Sequence, residues 1–82
     1  HPAQIRPIVE AFAPRPEAVE DAAKILLAAA EAHWAPVGVG GVLHDRASYR
    51  YFWQLLERAQ RTGRTLPPAV RPWFTAQTAS VH

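Results

Sequence analysis

The chain has 82 residues, of which 49% are hydrophobic and 20% charged, and its formal net charge is +2 at pH 7. A chain of this length forms one small domain at most and buries only about 60% of its unfolded surface. The absence of cysteine excludes a disulfide framework and a thiolate zinc site. The lack of cysteine leaves the compartment open, and the cytoplasm is the default expectation. No apolar run approaches the roughly 20 residues that cross a bilayer, so we expect no membrane partner. Because methionine is absent, we expect a fragment, a processed product or the ordered part of a longer protein.

Charge is distributed unevenly along the chain. Residues 1–45 hold three basic and six acidic residues, whereas residues 46–82 hold six arginines and one acidic residue. A basic half can meet phosphates, either of nucleic acid or of a nucleotide-like cofactor. The simpler interpretation is a solvated helix face.

Two helices are predicted in the N-terminal part. In the first, at residues 4–12, apolar side chains recur at spacings of three and four. The second is predicted at residues 16–33. Pro16 suits its first position, where the missing N–H would have no intrahelical partner. Alanines on its apolar face favour helix and allow close packing against another backbone.

Residues 34–44 are predicted to form a glycine-containing loop. Gly38, Gly40 and Gly41 lie in it, interleaved with apolar residues. Their spacing lacks the preceding strand of a dinucleotide fingerprint and the Lys-Ser/Thr of a P-loop. A hinge, or a loop whose backbone approaches another group closely, is the favoured interpretation.

A third helix is predicted at residues 46–62, followed by a proline-rich tail. Asp45 is expected as its N-cap or a first-turn residue, and Gly63 as the glycine that ends it. The tail at residues 63–82 is expected to be extended and partly disordered, with Trp73 and Phe74 as a hydrophobic anchor.

Three short motifs resemble the citrate lyase β-subunit and malyl-CoA lyase family of aldolases. The family pattern I-H-P-x-Q-I-x-x-I/V-x-x-x-F is matched by the opening block, at His1, Pro2, Gln4, Ile5, Val9 and Phe12. The family's G-x-M-I-D loop is similar to Gly41–Asp45, and its L-L-x-R-A helix end is similar to Leu55–Ala59. The chain departs from the family at four positions, which are Ala13, Arg15, His44 (usually isoleucine) and Ala47.

The resemblance implies that the all-α segment of about three helices is the C-terminal lid or tail of a larger (β/α)8 barrel enzyme. Residues 1–12 would be the end of the barrel and the first C-terminal helix, residues 13–62 the helical lid, and residues 63–82 the tail. It also implies cleavage or formation of a carbon–carbon bond in a hydroxyacyl-CoA of the citryl-CoA or malyl-CoA type, with Mg²⁺ held upstream and no metal site in this segment. The implied partners are the acyl-CoA substrate and the barrels of its own and a neighbouring subunit, in a homotrimer or hexamer. The isolated chain would then lack most of the catalytic residues.

In this family the loop aspartate supplies the proton at the acyl-CoA α-carbon, and Asp45 occupies the matching position. His1, Pro2, Gly40 and Gly41 are the implied substrate- or CoA-binding residues. Without the resemblance, an aspartate before an apolar-periodic helix is most simply an N-cap.

Two other functions stay open. A non-catalytic helical interaction segment, including a degenerate lyase relative, would use Trp73, Phe74 and the alanine-rich face. A basic nucleic-acid-binding module would need the arginines of the third helix on one face, but it carries no recognised motif, so nucleic acid is the least favoured partner.

Overall fold

The computed structural model describes residues 12–74. Two helices and a two-stranded hairpin follow one another, in the order α1 (Pro16–Glu31), β1 (Val37–Val39), β2 (Val42–His44) and α2 (Arg46–Arg61). The mostly helical fold predicted from the periodicity is confirmed. The helix expected at residues 4–12 lies outside the described residues except for Phe12, and so do the last eight residues of the tail.

Helix α1 begins as predicted, with Pro16 at its first position and Glu17 in its first turn. It ends at Glu31, two residues earlier than expected, because His33 and Trp34 adopt positive φ angles of 56° and 67°. The amide of Trp34 donates to the Ala29 carbonyl over 2.7 Å and closes the helix end. Residues with side chains rarely adopt this left-handed conformation, so the chain reversal after α1 carries backbone strain.

Residues 37–44 form an antiparallel hairpin, where the sequence was expected to form a loop. Val37 pairs with His44 and Val39 with Val42. The two turn residues, Gly40 and Gly41, have φ angles of 59° and 80°. Positive φ at both turn positions is the geometry whose twist matches that of the two strands, and it favours Gly-Gly. The glycines are therefore required by the turn of the hairpin and do not form a hinge.

Helix α2 starts at the residue that the sequence indicated and ends at Arg61, one residue earlier than predicted. Asp45 is its N-cap, and Gly63, with a φ of 91°, follows its end. The Thr62 hydroxyl donates to the Arg58 carbonyl over 2.7 Å, and the Arg64 amide donates to the Ala59 carbonyl over 2.9 Å. These bonds satisfy carbonyls that the last turn of a helix leaves without partners.

The segment after α2 folds back onto the two helices. Residues 71–74 are helical, which differs from the extended conformation expected there. Leu66, Val70 and Phe74 are buried, and their burial against α1 and α2 explains why the segment does not stay extended. The ring of Phe74 lies 4.6 Å from that of Trp53, so the expected anchor is observed.

The core lies between the two helices and this returning segment. Helix α1 contributes small and aliphatic side chains, and α2 contributes one stripe at helical spacing. The buried hydrophobic residues are Val19, Ala22, Ala23, Ile25, Leu26, Ala29, Tyr49, Leu55, Leu56, Ala59, Leu66, Val70 and Phe74. Within residues 12–74, neither helix is long and apolar enough to cross a membrane.

Candidate functional site

Asp45 lies at the junction between the hairpin and α2, and its side chain is exposed. Its Oδ1 atom accepts hydrogen bonds from the Ala47 amide at 3.1 Å and the Ser48 amide at 3.3 Å. Both capping bonds use the same oxygen. Among residues 12–74, no hydrogen bond engages Oδ2. Asp45 therefore caps the helix with one carboxylate oxygen, and the other makes no hydrogen bond within residues 12–74.

Tyr49 ties the two ends of the hairpin together one turn into α2. Its hydroxyl donates to the Ala35 carbonyl at 2.6 Å, and the His44 carbonyl lies 3.2 Å from the same oxygen. Its ring is 6% exposed and meets the edge of Trp34 with ring centroids 5.9 Å apart. One side chain thus contacts Ala35 two residues before β1, the last residue of β2 and the turn after α1.

Gly40 and Gly41 form the exposed tip of the hairpin. A Cβ atom added at either position would meet no atom within 4 Å among the described residues. Within this part of the chain, the two glycines are therefore needed for their positive φ and not for a close approach. Contact of this tip with a CoA thioester stays a prediction, as do the roles of His1 and Pro2, which lie outside the described residues.

His44 is the buried polar residue of the described core, at 8% exposure. Its ring meets the edge of Phe52 with centroids 5.6 Å apart, and its Nδ1 atom has no hydrogen-bond partner among residues 12–74. A buried polar atom without a partner lowers stability by about 1–3 kcal/mol. The ring lies at a cleft of about 460 Å³ that Lys24 and Val39 also line.

A second cleft of about 280 Å³ lies beside α2, lined by Leu26, Trp34, Arg46, Tyr49, Arg50 and Trp53. The Trp34 side chain is 46% exposed.

Within residues 12–74, no group of three or more His, Asp or Glu side chains could hold a metal ion. The described residues therefore do not fit a Mg²⁺ site.

Among solved structures, the chain is similar to a citrate lyase from Burkholderia xenovorans LB400. The two chains are 57% identical with a TM-score of 0.70, over 90% of the present chain. Over this length, the chain is similar to a segment of that citrate lyase. It spans 23% of the length of that enzyme chain. No protein-family model matches it, and no curated protein sequence does.

This likeness supports the family that the short motifs indicated. Sequence reasoning missed Tyr49 as part of the site, because its spacing within α2 indicated only a core aromatic residue. It also missed the burial of His44. The alternation of valine and glycine before His44 was a signal for the hairpin that places both residues.

Proposed function

We propose that this chain is the helical lid of a carbon–carbon lyase that acts on a hydroxyacyl-CoA of the citryl-CoA or malyl-CoA type. Asp45 would be the proton donor and acceptor at the acyl-CoA α-carbon. The likeness to a citrate lyase supports the reaction class. The observation that carries the role of Asp45 is its exposed carboxylate, in which one oxygen caps α2 and the other is unengaged within residues 12–74.

In the cleavage direction, a base in the barrel portion would take the proton of the substrate hydroxyl, and the hydroxyl-bearing carbon becomes the carbonyl of the oxo acid. The bond between this carbon and the α-carbon breaks, and its electron pair remains on the α-carbon as a thioester enolate. A protonated Asp45 then transfers its proton to that carbon and becomes a carboxylate. In the condensation direction, the carboxylate removes the same proton from the acyl-CoA. General acid–base groups of this kind accelerate a reaction by about 10²–10⁴-fold when they are positioned at the reacting atom.

Polarisation of the oxo-acid partner would require Mg²⁺, which the described residues do not fit. We propose that its ligands belong to the barrel portion of the enzyme. His1 and Pro2 would lie at the mouth of that barrel, and Gly40 and Gly41 would approach the CoA thioester from the hairpin tip.

The exposed apolar side chains support a docking role for the segment. The side chains that we assign to this surface are Phe12, Trp34, Val42 and Leu43. Exposed apolar surface of this kind marks contact with another protein surface. We propose that the barrel of its own or a neighbouring subunit covers it, in a homotrimer or hexamer. The same surface would serve a degenerate relative that docks but does not catalyse, so the test must measure proton transfer.

The test is exchange of solvent deuterium into acetyl-CoA by the full-length protein and its Asp45→Asn variant. Asparagine caps helices about as well as aspartate, so α2 should keep its N-terminus. Exchange should fall by about 10²–10⁴-fold, with assembly and CoA binding unchanged. Glu20→Gln is the matched control, since it removes an exposed carboxylate from α1. Wild-type exchange by Asp45→Asn would show that Asp45 is only a cap.

A further inference from the structure

We infer that Tyr49 is a positioning residue for Asp45, an inference that rests on the proposed function. Its hydroxyl clamps the base of the hairpin and so holds the carboxylate of Asp45 at a defined place on the lid. Neither the resemblance nor the likeness to a citrate lyase assigns this residue a role.

The clamp is defined by two carbonyls at opposite ends of the hairpin segment. The Tyr49 hydroxyl donates its single proton to Ala35 at 2.6 Å, and the His44 carbonyl shares it at 3.2 Å. Ala35 lies just before β1, and His44 is the last residue of β2. The eight residues between them are therefore closed into a loop whose base is fixed to the body of α2.

The hairpin needs such an attachment because it has little support of its own. Each strand has three residues, and an isolated two-stranded hairpin is at best marginally stable in water. Val42 and Leu43 are 56% and 73% exposed, so β2 buries little apolar surface before His44. Val37 and Val39 of β1 pack against the core, and the hydrogen bonds of Tyr49 add the restraint at the base of the hairpin.

Asp45 receives that restraint directly. It follows His44, and consecutive Cα atoms across a trans peptide are about 3.8 Å apart. Any movement of the His44 carbonyl thus moves Asp45. The Tyr49 amide also donates to the Asp45 carbonyl over 2.9 Å. Tyr49 contacts the backbone on both sides of the bond between His44 and Asp45.

The turn after α1 is held by the same Tyr49 side chain. Trp34, at a φ of 67°, packs its ring against the edge of Tyr49. Strained backbone persists only where the surrounding structure holds it. The Tyr49 ring supports the Trp34 side chain, and its hydroxyl binds the next carbonyl along, that of Ala35.

The experiment compares Tyr49→Phe with Tyr51→Phe in the full-length protein. Both variants remove one hydroxyl from α2, but Tyr51 is 61% exposed and its hydroxyl has no hydrogen bond within residues 12–74. A displacement of about 1 Å at a catalytic group can lower a rate by about 10²-fold. For Tyr49→Phe we expect kcat and deuterium exchange into acetyl-CoA to fall by at least about tenfold with KM unchanged. Tyr51→Phe should behave as wild type.

The double variant Asp45→Asn/Tyr49→Phe separates positioning from a general structural role. If Tyr49 acts through Asp45, Tyr49→Phe should cause no further loss in the Asp45→Asn background. Additive losses, or wild-type turnover by Tyr49→Phe, would overturn the inference while leaving the role of Asp45 intact. If Asp45→Asn itself exchanges deuterium normally, the proposed function fails. In that case, faster amide exchange across residues 36–44 in Tyr49→Phe would show that Tyr49 restrains the hairpin. It would not show that this restraint serves catalysis.

Discussion

Replacing His44 by isoleucine should stabilise the hairpin. The imidazole is 8% exposed, and its Nδ1 atom has no hydrogen-bond partner in the part of the chain that the structure describes. Removing such an atom should raise the free energy of unfolding by about 1–3 kcal/mol. Losing the edge contact with Phe52, whose ring is 5.6 Å away, costs about 0.5–1.5 kcal/mol. Isoleucine also suits a strand, because β-branched side chains pack well on a pleated surface. The net expected gain is about 1 kcal/mol, or about fivefold in the opening equilibrium.

Amide hydrogen exchange of the full-length protein, followed on peptides that cover residues 37–44, measures this local opening. Exchange should slow by about fivefold in His44→Ile. His44→Gln is the matched control, since it keeps polar atoms in the buried position and should exchange as fast as wild type or faster. Equal or faster exchange in His44→Ile would refute the reasoning. It would mean that the ring nitrogen has a partner in the assembled protein.

Three further predictions concern the cap, the turn and the isolated segment. Asp45→Ala removes both capping bonds and should destabilise α2 by about 1 kcal/mol, whereas Asp45→Asn should change its stability by only a few tenths. Local amide exchange over residues 46–50 distinguishes the two variants. Gly41→Ala forces a side chain onto a φ of 80° and should cost about 1–2 kcal/mol. It should speed exchange in the hairpin, and unchanged exchange would contradict the assigned turn. The isolated chain should not unfold cooperatively as a monomer, because its exposed apolar side chains would need another protein surface to cover them. Calorimetry at low concentration, with the molecular mass measured in parallel, tests this.

Features with local causes were predictable from the sequence. The apolar periodicity and Pro16 indicated α1, and Asp45 and Gly63 marked the two ends of α2. The signal in each case lies within a few residues of its effect. Helix ends leave N–H and C=O groups that neighbouring residues must satisfy, so such signals are dependable. The end predicted for α1, at His33, was wrong because the helix propensity of the local sequence favours a helix that continues through His33. The chain instead reverses there at positive φ.

The hairpin was missed although its elements were present in the sequence. Alternating valines flank Gly40 and Gly41, but short strands are hard to distinguish from a loop without knowing what they pack against. The tail was missed for a related reason. Pro67 and Pro68 indicated an extended path, whereas burial of Val70 and Phe74 against the helices favoured a compact turn.

The sequence by itself determined the two long helices, the first residue of α1 and the position of Asp45 at the start of α2. Only the tertiary structure decided how that aspartate is held. The hydrogen bond from Tyr49 joins residues 14 apart, and the bond from Arg64 to the Pro14 carbonyl joins residues 50 apart. Such contacts depend on the path of the whole chain, because a side chain's partner is known only when distant segments have been brought together. Local chemistry therefore places the carboxylate at a helix end, and long-range packing gives it a defined position.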